Sequence, residues 1–81
     1  MLKTIHSPEY SELLDWLRTQ RKQKGMTMRD VAEKLDVHHS WIGKIEQSER
    51  RLDIVEYLRI CKALEIDPHE GLNLVMSAIN Q

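Results

Sequence analysis

Three apolar helical patterns in this chain open with a residue able to cap a helix followed, three positions on, by an acid: Thr27 and Asp30, Asp53 and Glu56, Asp67 and Glu70. A capping oxygen takes one of the backbone N–H groups that a helix leaves unbonded at its start, and the acid returns a bond to the capping residue's own N–H. Such pairs fix where helices begin. A fourth start is marked by Ser7 as cap, Pro8 at the first helical position and Glu9 in the first turn, where the helix dipole favours negative charge.

Between these starts, apolar residues recur at three- and four-residue steps rather than alternating, which predicts helices and no strands. Tyr10, Leu13, Leu14 and Leu17 make one stripe on a first helix that Gly25 ends, and Val31, Ala32 and Leu35 face inward on a second. Asp36 stands where the chain must turn sharply, and Asp tolerates a left-handed backbone better than most residues. A short third helix from about His39 to Gln47, with His38 near its N-cap, buries Ile42 and Ile45. Its outer face carries His39, Ser40, Gly43 and Lys44. The fourth follows a basic, irregular stretch from Ser48 to Leu52, with Ile54, Tyr57, Leu58, Cys61 and Leu64 as its inner stripe. The fifth opens at Asp67 and Pro68, is anchored by Leu72 and ends near Ile79. The expected fold is all-α: five helices in a single domain over 1–81, with a core of about 7–67 and a C-terminal helix of about 68–79.

The formal net charge of −1 hides an uneven distribution. Residues 18–51 hold nine Lys or Arg against five acids, while the segments on either side are net acidic. Positive charge in the centre is the footprint of a partner that carries phosphate. No apolar run approaches the roughly 18 residues of a membrane span, and the N-terminal residues lack the apolar stretch of a secretory signal, so a cytoplasmic location is expected. Cys61 has no second thiol to pair with and reads as a small buried hydrophobe. Adjacent helical residues diverge by about 100°, so His38 and His39 do not form a metal site, and no cofactor is expected. His6 and His69 read as surface residues. No nucleophile, base and orienting group can be assembled, so the chain is not expected to be an enzyme.

Two short helices joined by a tight turn, the second with a polar outer face, are what reading a major groove requires. Counting Met28 as position 1, apolar Val31, Leu35, Val37, Ile42 and Ile45 fall at positions 4, 8, 10, 15 and 18, and small Ala32 falls at position 5, where the two helices cross closely. That spacing makes a helix-turn-helix of the second and third helices. Protonation of His38 and His39 near pH 6.5 would then add positive charge at the groove, strengthening DNA binding in acid.

The stretch from Leu17 to Asp67 resembles the Xre family of phage Cro and repressor-like regulators. The marks are Arg21 with Gly25-Met26-Thr27, the Ala32 and Leu35 pair, Ser40-Trp41-Ile42 with Lys44-Ile45-Glu46, Arg51-Leu52-Asp53, and Ala63-Leu64. The resemblance implies a five-helix, lambda-repressor-like DNA-binding domain whose third helix enters the major groove. It makes His39, Ser40 and Lys44 base-edge readers, Lys44 donating to guanine O6 and N7. Trp41 either touches phosphate or a thymine methyl, or packs on the second helix. Helix ends bring free N–H groups to phosphate, which nominates Thr27, Arg29, Gln47, Arg50 and Arg51 for backbone contacts. Relatives pair the positions of Arg21 and Glu46 in an ion pair. Three departures stand out: Met28 where relatives often have a phosphate-binding Gln, Asp36 for a turn glycine, and Ser48 for the glycine after the third helix.

Leu74, Val75, Met76, Ala78 and Ile79 make more apolar surface than one inward stripe needs, which suggests a dimer contact or closure of the monomer's own core. A two-fold dimer reads two half-sites about 10 bp apart, hence a palindromic operator on double-stranded DNA. The expected function is a dimeric repressor of its own or a neighbouring operon. The alternatives are an antitoxin with a protein partner, a controller of restriction-modification genes, or an interaction module without DNA binding.

Overall fold

The computed structural model describes residues 7–80; His6 and the other residues of 1–6, together with residue 81, lie outside them. The elements run α1 (Pro8–Gln23), α2 (Met28–Leu35), α3 (His39–Glu46), α4 (Ile54–Leu64) and α5 (Pro68–Ile79).

The starts follow local chemistry. Ser7 accepts from the Tyr10 N–H, and both Thr27 with Asp30 and Asp53 with Glu56 form reciprocal boxes. The third pair does not close in this way. Asp67 Oδ1 accepts instead from the N–H of His69, 2.9 Å away, and meets that residue's Nδ1 at 2.8 Å. The shorter loop to the second helical residue satisfies the cap before Glu70 can.

Four helix ends share one device, a residue of positive φ whose N–H and the next N–H reach back to carbonyls three and five residues earlier. After α1 this is Gly25 (φ 70°), with Gly25 N–H to Lys22 O and Met26 N–H to Arg21 O. After α2, α3 and α4 it is Asp36 (57°), Ser48 (60°) and Glu65 (56°). Only the first end has the residue that adopts this conformation freely.

The core draws Leu13, Leu14 and Leu17 from α1, Val31 and Ala32 from α2, Ile42 and Ile45 from α3, and Tyr57, Ile60, Cys61 and Leu64 from α4. Two sequence assignments are corrected here. On α4 the inward face follows Tyr57, Ile60, Cys61 and Leu64, so Ile54 and Leu58 lie along its flank, 57% and 45% exposed. On α5 the anchor is Gly71, not Leu72, which is 39% exposed. A Cβ at Gly71 would meet the Tyr57 hydroxyl and stand 2.7 Å from Trp16 Cζ3, so α5 lies on α1 with backbone against ring. That close approach outweighs the roughly 1 kcal/mol that glycine costs inside a helix. Among the described residues, no helix is long and apolar enough to cross a membrane.

Candidate nucleic-acid interface

The α2–α3 pair rests on buried Val31, Ala32, Ile42 and Ile45, with Ala32 only 2% exposed at the crossing. Leu35 is half-buried, and Val37, expected to help lock the crossing, is 37% exposed at the turn. Met28 packs on the core, its Sδ 3.7 Å from where a Gly43 Cβ would stand. Apolar contact thus replaces the polar side chain that relatives often carry there.

On the outer face of α3, Ser40 and Lys44 are exposed and His39 is half-buried. The N-terminal end of the helix is capped by an imidazole: Nδ1 of His38 accepts from the Ser40 N–H at 3.1 Å and lies 2.9 Å from Ser40 Oγ. The rings of His38 and His39 meet at 4.3 Å between centroids. Desolvation, then His38 and Arg29, hold the His39 pKa below the ordinary histidine value. The acid-side gain in positive charge expected near pH 6.5 therefore moves to lower pH for His39.

The C-terminal end of α3 is held by charge. Arg21 donates through Nε to Glu46 Oε2 at 2.7 Å and through Nη2 to Oε1 at 3.0 Å, and its Nη1 reaches Met26 O at 2.9 Å. Both side chains are about nine-tenths buried, 10% and 9% exposed. Arg18 joins them, donating through Nη2 to the Glu46 backbone carbonyl at 2.7 Å and so capping the last carbonyl of α3. Sequence reasoning missed Arg18, although its place three residues before Arg21 puts both on one face of α1.

The candidates for phosphate contact divide. Thr27, Arg29, Gln47 and Arg51 are exposed. The Thr27 hydroxyl accepts from the Asp30 N–H and turns its own hydrogen to the Asp30 carboxylate. Asp30 in return holds the Thr27 N–H at 2.8 Å, and these bonds lower its pKa. Arg50 differs from the other four. Its Nη1 and Nη2 donate to Glu56 at 3.0 and 2.9 Å, and its guanidinium lies 5.1 Å over the Trp41 ring. The bonds to Arg50 pull the Glu56 pKa down. Through its two terminal nitrogens Arg50 clamps the loop after α3 to α4, and its side chain stays 39% exposed. Trp41 accordingly is half-buried, packed against the core beneath that clamp rather than standing with Ser40 and Lys44. The loop between is tied to α1 by the Tyr10 hydroxyl, which donates to Arg50 O and accepts from the Leu52 N–H at 3.0 Å.

At the far side of the molecule, Met76 and Ile79 are each 57% exposed and Leu74 is at the edge of exposure, while Val75 and Ala78 are half-buried. Val75 packs against the monomer's own core.

A family model described as "Helix-turn-helix domain" matches residues 12–72. The chain is similar to an XRE-family like protein from Pseudomonas syringae pv. tomato str. DC3000, with a TM-score of 0.84 and 36% identity over 94% of this chain and 93% of that one. It is similar also to the restriction-modification controller protein C.Esp1396I, solved as a tetramer in complex with its natural 35 base-pair operator (TM-score 0.77, 28% identity, 94% of this chain and 100% of that one). A third similar structure is the controller C.AhdI from Aeromonas hydrophila (0.73, 26%, 80% and 98%). No curated protein sequence matches the chain. With the buried crossing of α2 and α3, the outward polar face of α3 and these matches together, the chain belongs to the Xre family of helix-turn-helix transcriptional regulators.

Proposed function

We propose that the protein is a sequence-specific operator-binding regulator that acts as a homodimer, each copy laying α3 in a major groove. The observation that carries this reading is the division of α3: Ser40 and Lys44 are exposed, while Ile42, Ile45 and the Glu46 carboxylate are enclosed. A helix gripped from behind and bare in front is suited to deliver side chains to base edges. His39, Ser40 and Lys44 read bases, with Lys44 on guanine. Thr27, Arg29, Gln47 and Arg51 hold phosphates and set the register. Arg50 and Trp41 orient α3 from within.

The partner copy meets α5. Leu72, Met76 and Ile79 recur at helical spacing and are exposed, with Leu74 beside the half-buried Ala78. A single domain of this size makes few phosphate contacts, and joining two multiplies affinity through linkage. A charge placed in this row, as in Met76→Glu with Ile79→Glu, is expected to leave a folded monomer by light scattering.

Selection of bound sites from a random DNA pool at two salt concentrations tests the reading. The expected product is a two-fold consensus with half-sites about 10 bp apart, its affinity falling as salt rises. Absence of any enriched sequence contradicts it. As to regulation, autorepression is the simplest role for such a dimer. Control of restriction-modification genes is a specific second reading, favoured by similarity to C.Esp1396I over nearly the whole chain; neighbouring genes for a nuclease and a methylase would support it.

A further inference from the structure

The cap of α3 constrains what Ser40 can recognise. A backbone N–H can only donate, so the 3.1 Å bond from Ser40 N to His38 Nδ1 requires that this nitrogen carry a lone pair and no hydrogen. The imidazole is thus the tautomer with its hydrogen on Nε2, and Nδ1 stands where the oxygen of an Asn cap would stand. Ser40 Oγ lies 2.9 Å from the same nitrogen. At that distance the hydroxyl hydrogen avoids lone-pair repulsion by pointing at Nδ1, whose one lone pair is then shared between the Ser40 N–H and the Ser40 hydroxyl. With its one hydrogen used, the exposed hydroxyl has only lone pairs to offer outward.

We propose that His38 is a specificity-determining residue: by holding the Ser40 hydroxyl hydrogen, it makes Ser40 an acceptor that selects a base bearing an exocyclic amino group, adenine or cytosine, at one position of each half-site. This rests on the reading that α3 enters the major groove. There adenine presents the N6 amino group and cytosine the N4 amino group, whereas guanine and thymine present acceptors that an acceptor-only hydroxyl disfavours. A free serine hydroxyl rotates to suit either class and discriminates weakly. Serine held by His38 does not. One hydrogen bond gained or lost at this position corresponds to about five- to tenfold in affinity.

The test is site selection with the full chain at pH 8, comparing four proteins. Wild type is expected to select adenine or cytosine at a position that Ser40→Ala randomises while the rest of the consensus persists. His38→Asn keeps an acceptor in the same place and keeps the preference. His38→Gly, a residue tolerated at a helix N-cap, removes the acceptor and releases the Ser40 hydroxyl, and is expected to admit guanine and thymine there, reducing discrimination about five- to tenfold. Guanine or thymine selected by wild type at the Ser40-dependent position overturns the proposal, whether or not the variants fold. So does an unchanged preference in folded His38→Gly, or a consensus in which no position responds to Ser40→Ala. A wild-type protein that enriches no sequence instead removes the DNA-reading proposal on which this inference stands.

Discussion

The two ends of α3 are built on different principles. The C-terminal end is enclosed: Glu46 takes a two-pronged bond from Arg21, its carbonyl takes Arg18, and Arg50 closes over Trp41 onto Glu56. The N-terminal end and the outer face are open: His38 supplies a single capping nitrogen, and Ser40 and Lys44 face solvent. Removing one partner of a buried ion pair leaves an uncompensated charge, whereas truncating an exposed side chain costs the fold little. The contrast separates residues that hold the helix from residues that use it. Stability and recognition should therefore respond to different substitutions on the same eight-residue helix.

The largest effect that probes this contrast belongs to Glu46→Ala. It should destabilise the fold by about 3–5 kcal/mol and lower the melting temperature by more than roughly 10 °C. Glu49→Ala, exposed three residues beyond the helix, should stay within about 0.5 kcal/mol. Equal small effects in thermal melts would erase the distinction between the ends.

Smaller, and dependent on pH, is Glu56→Gln. Arg50 holds the folded Glu56 pKa below the ordinary glutamate range, so its contribution is present above that range and lost as the carboxylate is protonated in acid. The pair is partly exposed, Arg50 at 39% and Glu56 at 21%, which limits the effect to about 1 kcal/mol near neutrality. Melting curves from pH 7 to 3 should show wild type above the variant at first and the gap closing with acid. A constant gap would mean that charge is not what the clamp uses.

Ser48→Gly acts in the opposite direction. At φ 60° serine adopts a conformation that glycine enters without penalty, so the substitution should stabilise by about 1 kcal/mol. Destabilisation in the melt would show that the serine side chain contributes more than its backbone costs. The smallest effect concerns His39, whose pKa lies below the ordinary value. The His39-dependent rise in DNA affinity at fixed salt should lie on the acid side of the ordinary histidine range. A rise that His39→Ala abolishes should begin only in more acid solution, and a His39-dependent rise already complete at 6.5 would contradict the assignment.

What was legible in the sequence follows from how local each signal is. Helix starts are written within four adjacent residues, so Ser7, Thr27 and Asp53 sit as caps where the spacing puts them. The turn at Asp36 was legible because an Asp tolerates positive φ, and the one at Ser48 because it replaces an expected glycine. Glu65 makes the same turn with nothing in its residue type to announce it. Ile54, Leu58 and Leu72 lie one residue's rotation from the buried stripes. Which flank turns inward is decided by the neighbour, here the rings of Trp16 and Tyr57 against Gly71. The Arg50 clamp joins residues from α3, the loop and α4, and no spacing along the chain encodes that meeting. The outer face of α3 was readable because the period of a single helix fixes it.

The most direct test of the account is a paired measurement on His39→Ala with Lys44→Ala, in one protein, against wild type and a site selected by wild type. The account predicts a melting temperature within a few degrees of wild type and an affinity for that site reduced to the level of unrelated DNA at the same salt. Unchanged affinity for the selected site, with the fold intact, would contradict it.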